Sequence, residues 1–147
     1  NEENKELIAY CGYRCDLCPA FQATQKNDWE GLSKLSREWE TLFGFHLEPE
    51  QLECDSCRRE SGRRVDKGCS VRACCRQKGL ETCAECAEYP CDSLKKRFVY
   101  RDEVERKLSR RIPDETYTRY VQPFESKARL DIIRRLHSKQ QKLEILR

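Results

Sequence analysis

Leu32, Leu35, Trp39 and Leu42 recur every three or four residues, Phe43 widens the stripe, and Gly44 follows as a stop. That pattern predicts an amphipathic helix over residues 29–43. Trp39 lies on the apolar stripe, which makes it a core residue rather than a stacking platform for a ligand. Pro19 followed by Ala20, Phe21 and Ala23 predicts a shorter helix with proline in its first turn. Beyond residue 91, Leu94, Phe98, Val104 and Leu108 are spaced as intermittent helical anchors, Pro113-Asp114 reads as a break and new start, and Pro123 ends that segment. Ser126 is a candidate N-cap for a last helix in which Leu130, Ile133, Leu136 and His137 share a face that continues to Leu143 and is broadened by Ile132. Strand patterns are sparse, with Leu7 to Tyr10 and Phe45 to Leu47 as short candidates. The expected fold is mostly α with minor β.

Composition turns this helical outline into a metal question. The chain has 147 residues, 37% of them charged and 37% hydrophobic, so it is polar for a globular protein yet not apolar-poor enough to predict disorder. All eleven cysteines fall in residues 1–91. Those residues carry thirteen Lys/Arg against seventeen Asp/Glu, whereas residues 92–147 carry sixteen against nine. We therefore expect a cysteine-rich metal-binding domain over 1–98 and a basic helical extension over 99–147 packed back onto it, the metals offsetting a small core. No run reaches the ~18 apolar residues of a membrane helix, so no membrane role is expected. A secreted disulfide framework is the competing reading of so many cysteines. The odd count, the two-residue spacings and the lack of an apolar leader favour reduced thiols in the cytoplasm. The chain begins at Asn1 and holds no methionine, which leaves its true N-terminus open.

The spacings are those of metal knuckles. A short loop lets two sulfurs converge on one ion while its amides donate to the thiolates. Cys54-x2-Cys57-x11-Cys69-x4-Cys74 follows the plan of a four-cysteine zinc site, and Cys15-x2-Cys18 with Cys83-x2-Cys86 makes a second set, so about two zinc ions are expected. Cys11 and Cys91 extend the second set as alternate ligands. A two-zinc cluster or an iron–sulfur cluster, the latter making the chain a redox protein, is the alternative for it, since spacing alone does not choose between them. Cys75, directly after Cys74, is the candidate free thiol.

Tyr10-Cys11-Gly12 leading to Cys15 and Cys18-Pro19-Ala20, then Ala23-Thr24-Gln25, Cys54-Asp55-Ser56-Cys57, Cys69-Ser70-Val71-Arg72-Ala73-Cys74, Lys78-Gly79, Cys83-Ala84-Glu85-Cys86 and Glu88-Tyr89-Pro90-Cys91 carry a resemblance. Across roughly residues 8–98 the chain resembles a family of bacterial and archaeal cysteine-rich proteins known only as a domain of unknown function. The resemblance implies a zinc-binding protein and supplies no reaction. The family commonly has a further cysteine where Asp66 stands here, which either removes a ligand or leaves a carboxylate in its place.

Other functions have narrower support. Cys11-x3-Cys15-x2-Cys18 has the spacing of radical S-adenosylmethionine enzymes, but those need a large parallel βα array that this length and these strand signals do not supply. Arg58, Arg59, Arg63, Arg64, Lys67, Arg72, Arg76 and Lys78 crowd one presumed finger, which opens a nucleic-acid reading. Neutralisation of the protein's own thiolates explains the same charges and is favoured. His46 and His137 are the only histidines and read as structural or exposed, with no phosphate loop or metalloprotease helix beside them. No catalytic residue is assigned. A binding or regulatory module is the expected role, with its partner left open and a protein as one candidate.

Overall fold

The computed structural model describes residues 7–59 and 62–145. Seven α-helices are present among them: α1 (Pro19–Gln25), α2 (Trp29–Phe43), α3 (Ser70–Lys78), α4 (Asp92–Lys95), α5 (Arg101–Leu108), α6 (Asp114–Tyr120) and α7 (Lys127–Ile145). Short 3₁₀ turns join them, two of which, Cys15–Leu17 and Cys83–Glu85, begin at cysteines. The minor β component is not seen among the described residues. Leu7 to Tyr10 contributes an isolated antiparallel bridge between Ile8 and Arg14, and Phe45 to Leu47 is irregular chain. Each segment is short, and neither finds a neighbouring strand to complete a ladder.

Helix α2 shows how local signals set the elements. The Asp28 carboxylate accepts from the Gly31 amide at 3.0 Å, and Gly44 at φ +81° closes the helix by donating its amide to Glu40. The stripe of Leu32, Leu35, Trp39 and Leu42 is buried against α1 and the Pro49–Leu52 turn. Each such side chain contributes on the order of 1.5–3 kcal/mol by leaving water.

Two hydrophobic clusters make the core. One gathers α1 and α2 with Leu52, Val104, Ile112, Tyr120, Val121 and Phe124. The other gathers Ala9, Val71, Ala84, Leu94 and Leu130. Cysteines belong to both: Cys18 and Cys54 to the first, and Cys11, Cys15, Cys69, Cys75 and Cys83 to the second. Tyr13 packs against both clusters.

Helix α7 is seated by its first turns. Leu130 is fully buried, and a Cβ on Gly12, whose φ is +90°, would lie 2.7 Å from the Leu130 Cγ and 2.9 Å from the Ser126 Cβ. Glycine is therefore what lets the Cys11 turn meet α7. Farther along, Arg134 donates to the carbonyls of Ala84 and Cys86, both at 2.8 Å, and the Tyr89 hydroxyl donates to Asp131 at 2.6 Å. Two expectations change here. Ser126 begins the helix, its carbonyl accepting from Leu130, but its hydroxyl is buried without a hydrogen-bond partner and caps nothing. Leu136 is 60% exposed, because the helix runs past the body after Ile133, which packs against the second cluster.

Candidate metal centre

The cysteines divide differently from their spacing in sequence. Cys11, Cys15, Cys18, Cys54, Cys57 and Cys69 line one cavity of about 310 Å³, whose remaining wall is largely aromatic: Tyr13, Phe21, Trp39, Phe43, Phe45 and Phe124. The cavity lies between the two hydrophobic clusters and takes cysteines from both. Cys74, Cys75, Cys83, Cys86 and Cys91 line a second cavity of about 240 Å³. Cys54, Cys57 and Cys69 thus stay together, but Cys74 parts from them, while Cys15 and Cys18 join Cys54 rather than Cys83 and Cys86. The cause is α3. Residues in an α-helix turn about 100° apiece, so Cys69 at the helix N-cap and Cys74 in its second turn face different ways.

Cys75, the candidate free thiol, lines the second cavity. It is 2% exposed, and its sulfur lies 3.5 Å from that of Cys83, whereas Cys74 beside it is exposed. Adjacent helical residues diverge by the same ~100°, which is why the inward sulfur is the second of the pair. The Lys78 Nζ donates to Cys86 at 3.5 Å and also meets Glu88.

Local backbone aims the first set of thiols. The Cys54–Cys57 knuckle turns through Ser56, which is buried at φ +92°, a left-handed conformation that a free loop would rarely hold. Burial pushes the Cys54 thiol up, and the amides of Ser56 and Val65 oppose it. Cys18 is the N-cap residue of α1; burial lifts it to about 12 against the pull of the Phe21 and Ala20 amides. Cys11 is likewise lifted to about 12 by burial. Interaction between the Cys15 and Cys57 thiols lowers Cys15 and, with burial, raises Cys57. Cys83 and Cys75 repeat this arrangement, Cys83 raised and Cys75 lowered.

The basic residues of the presumed finger are largely engaged within the protein. Arg58 lies over the Tyr10 ring at 4.2 Å and donates to the Ile8 carbonyl. Arg63 grips Asp55 and Glu53, and Arg76 donates to the Arg59 carbonyl. Arg72 is buried, donates to the carbonyls of Asp66 and Lys67, and lowers Cys57. Asp66 shares the wall of the first cavity with its ion-pair partner Arg97. Neither histidine lines either cavity, and His46 sits exposed between Glu40 and Glu48.

No two of the eleven cysteines form a disulfide. Among the described residues, no three His, Cys, Asp or Glu side chains are gathered tightly enough to hold an ion as they stand. The donor chemistry nevertheless fits a soft, thiophilic metal. Each cavity offers at least five sulfurs, several already aimed by backbone amides, and the carboxylate in the first is held by an arginine.

A cysteine-rich, mostly helical fold with two thiol-lined cavities is thus the class to which the molecule belongs. The chain is a member of the family described as "Protein of unknown function (DUF3795)", which matches residues 7–96. No curated protein and no solved structure matches it. No helix among the described residues is long and apolar enough to cross a membrane.

Proposed function

We propose that this protein is a zinc-binding module in which each thiol cavity holds zinc and the metals complete a core too small to be stable alone. The observation that carries the reading is the sorting of all eleven cysteines into two cavities, six and five, by segments distant in sequence. Cys11, Cys15, Cys18, Cys54, Cys57 and Cys69 are the ligand pool of one; Cys74, Cys75, Cys83, Cys86 and Cys91 are that of the other. Bound zinc supplies a divalent charge that replaces thiol protons and ties those segments together. Closure over the ion requires the side chains to move inward from where they now stand. Arg72 and Arg97 offset the thiolate charge of the first site, and Lys78 that of the second. Eleven free thiols fit a reducing compartment such as the cytoplasm. Binding or regulation, rather than acid–base catalysis, is the role these sites support, because neither cavity presents a histidine.

The test is elemental analysis of native, untagged protein purified without chelator. At least one zinc per cavity, hence two per chain, is expected. Iron near stoichiometric amounts with visible charge-transfer absorption overturns zinc in favour of a cluster, and metal-free protein overturns both.

A further inference from the structure

In the second cavity the sulfurs of Cys75 and Cys83 are in contact at 3.5 Å. Helix α3 ends at Gly79, left-handed at φ +70°, and the Leu80 amide donates to the Cys75 carbonyl at 2.9 Å, so the chain doubles back on the helix. Thr82 then caps the Cys83–Glu85 turn by accepting from the Ala84 amide, and the Cys83 amide donates to the Tyr10 carbonyl at 2.9 Å. Backbone hydrogen bonds thus hold both thiols in place. The sulfurs of a disulfide stand about 2.05 Å apart, which leaves about 1.5 Å for rotation of two short side chains to close. Two thiolates on one tetrahedral zinc ion, with bonds of about 2.3 Å, stand about 3.8 Å apart. The pair is spaced for either fate but for one at a time, since a sulfur in a disulfide has given up the thiolate that binds metal.

We propose that Cys75 and Cys83 are a reversible oxidation site, joined as a disulfide by hydroperoxides, and that this disulfide and zinc are alternative states of the second cavity. The alternation rests on the zinc reading above, whereas the disulfide needs only the sulfur contact. With hydrogen peroxide as oxidant, one thiolate attacks a peroxide oxygen, the O–O bond breaks, and the sulfur becomes a sulfenic acid as water leaves. The other thiol attacks that sulfur, the S–O bond breaks, and a second water leaves as the S–S bond forms. Two thiols have then given two electrons and two protons to one peroxide. Cys75 is 2% exposed and Cys83 7%, yet the exposed Cys74 lines the same cavity of about 240 Å³, so the entrance suits an oxidant little larger than water and not a protein. The disulfide leaves Cys74, Cys86 and Cys91 there, three sulfurs where a structural zinc takes four ligands. In a reducing compartment such a bond is transient, which is the behaviour of a sensor and not of a structural cross-link.

The full chain, purified without chelator, is treated with a stoichiometric amount of hydrogen peroxide. Remaining thiols are alkylated, the disulfide is located by peptide mass spectrometry with fragment ions that separate Cys75 from Cys74, and released zinc is read with a chromogenic dye. The expected result is a predominant Cys75–Cys83 bond, one zinc released per bond, and recovery of both thiols in dithiothreitol. A predominant bond between any other pair, or no disulfide, overturns the site. The Cys75–Cys83 bond with all zinc retained overturns the alternation and leaves the oxidation site standing. The same bond in protein that carries no zinc as purified supports the site and overturns the zinc reading.

Discussion

Gly12→Ala perturbs the point where the N-terminal cysteine turn meets α7, and its cost can be worked from the geometry. The new methyl group would stand 2.7 Å from the Leu130 Cγ, 2.9 Å from the Ser126 Cβ and 3.0 Å from the Leu130 Cδ2. Overpacking of this kind costs about 1–3 kcal/mol. Holding a non-glycine residue at φ +90° adds about 1–2 kcal/mol. The expected loss is therefore roughly 2–5 kcal/mol, a large share of a small domain's stability. Leu130→Ala alone should cost about 2–5 kcal/mol for an emptied site in the second cluster. In the double variant two of the three close contacts vanish, so the combined loss should fall short of the sum by about 1–2 kcal/mol. Urea unfolding followed by far-ultraviolet circular dichroism, at one fixed free-zinc concentration, measures all three. A Gly12→Ala protein within about 0.5 kcal/mol of wild type, or strict additivity in the double variant, refutes the seating of α7 on this turn.

Chelation should destabilise residues 11–91 first, with hydrogen exchange rising across both thiol cavities, because binding energy at a structural metal is largely folding energy; unchanged exchange there would count against structural metal. Asp55→Asn removes a carboxylate that accepts from the Arg63 amide at 2.8 Å and from its guanidinium at 3.0 Å. The Arg63 contacts hold the Asp55 carboxyl at about 2, below its ordinary 3.8, so its stabilisation is present above pH 3.8 and lost as pH falls through about 2. The variant should lose about 1–2 kcal/mol at neutral pH, with the gap to wild type closing toward pH 2 in acid titrations. Tyr89→Phe deletes the hydroxyl bond to Asp131 and should cost about 1 kcal/mol, read as faster exchange over residues 128–143 in α7.

What the sequence disclosed depended on how local each signal was. Helix α2 was legible to the residue because its stripe and its glycine stop lie within one segment, and the Pro113 and Pro123 boundaries of α6 were legible for the same reason. The inward face of α7 was legible only as far as Ile133, because periodicity reports amphipathicity and not how much of a helix finds something to pack on. Leu136 carries the same pattern into solvent. The two strand candidates failed because pairing is decided by what lies beside a segment. The candidate cysteines were readable, but their grouping was not. The nine residues of α3 sit where the spacing pattern sees only a Cys-x4-Cys knuckle, and the helix sends Cys74 to the other cavity. The Lys and Arg crowding between residues 58 and 78 was visible as composition, whereas its use on the chain's own carbonyls and carboxylates needed three dimensions.

Trp39 stands in the wall of the six-thiol cavity with its indole 5% exposed and its ring nitrogen donating to the Tyr120 carbonyl at 3.3 Å, while Trp29, the chain's other tryptophan, is 42% exposed. The protein therefore carries its own optical gauge of that cavity. Any event that loosens the thiol wall admits water to one indole and shifts its fluorescence to longer wavelength, over a nearly constant background from the other. In a Trp29→Phe protein excited on the red edge, beyond the absorption of its six tyrosines, that background disappears, and cavity opening can be followed in real time from one indole, with no label attached.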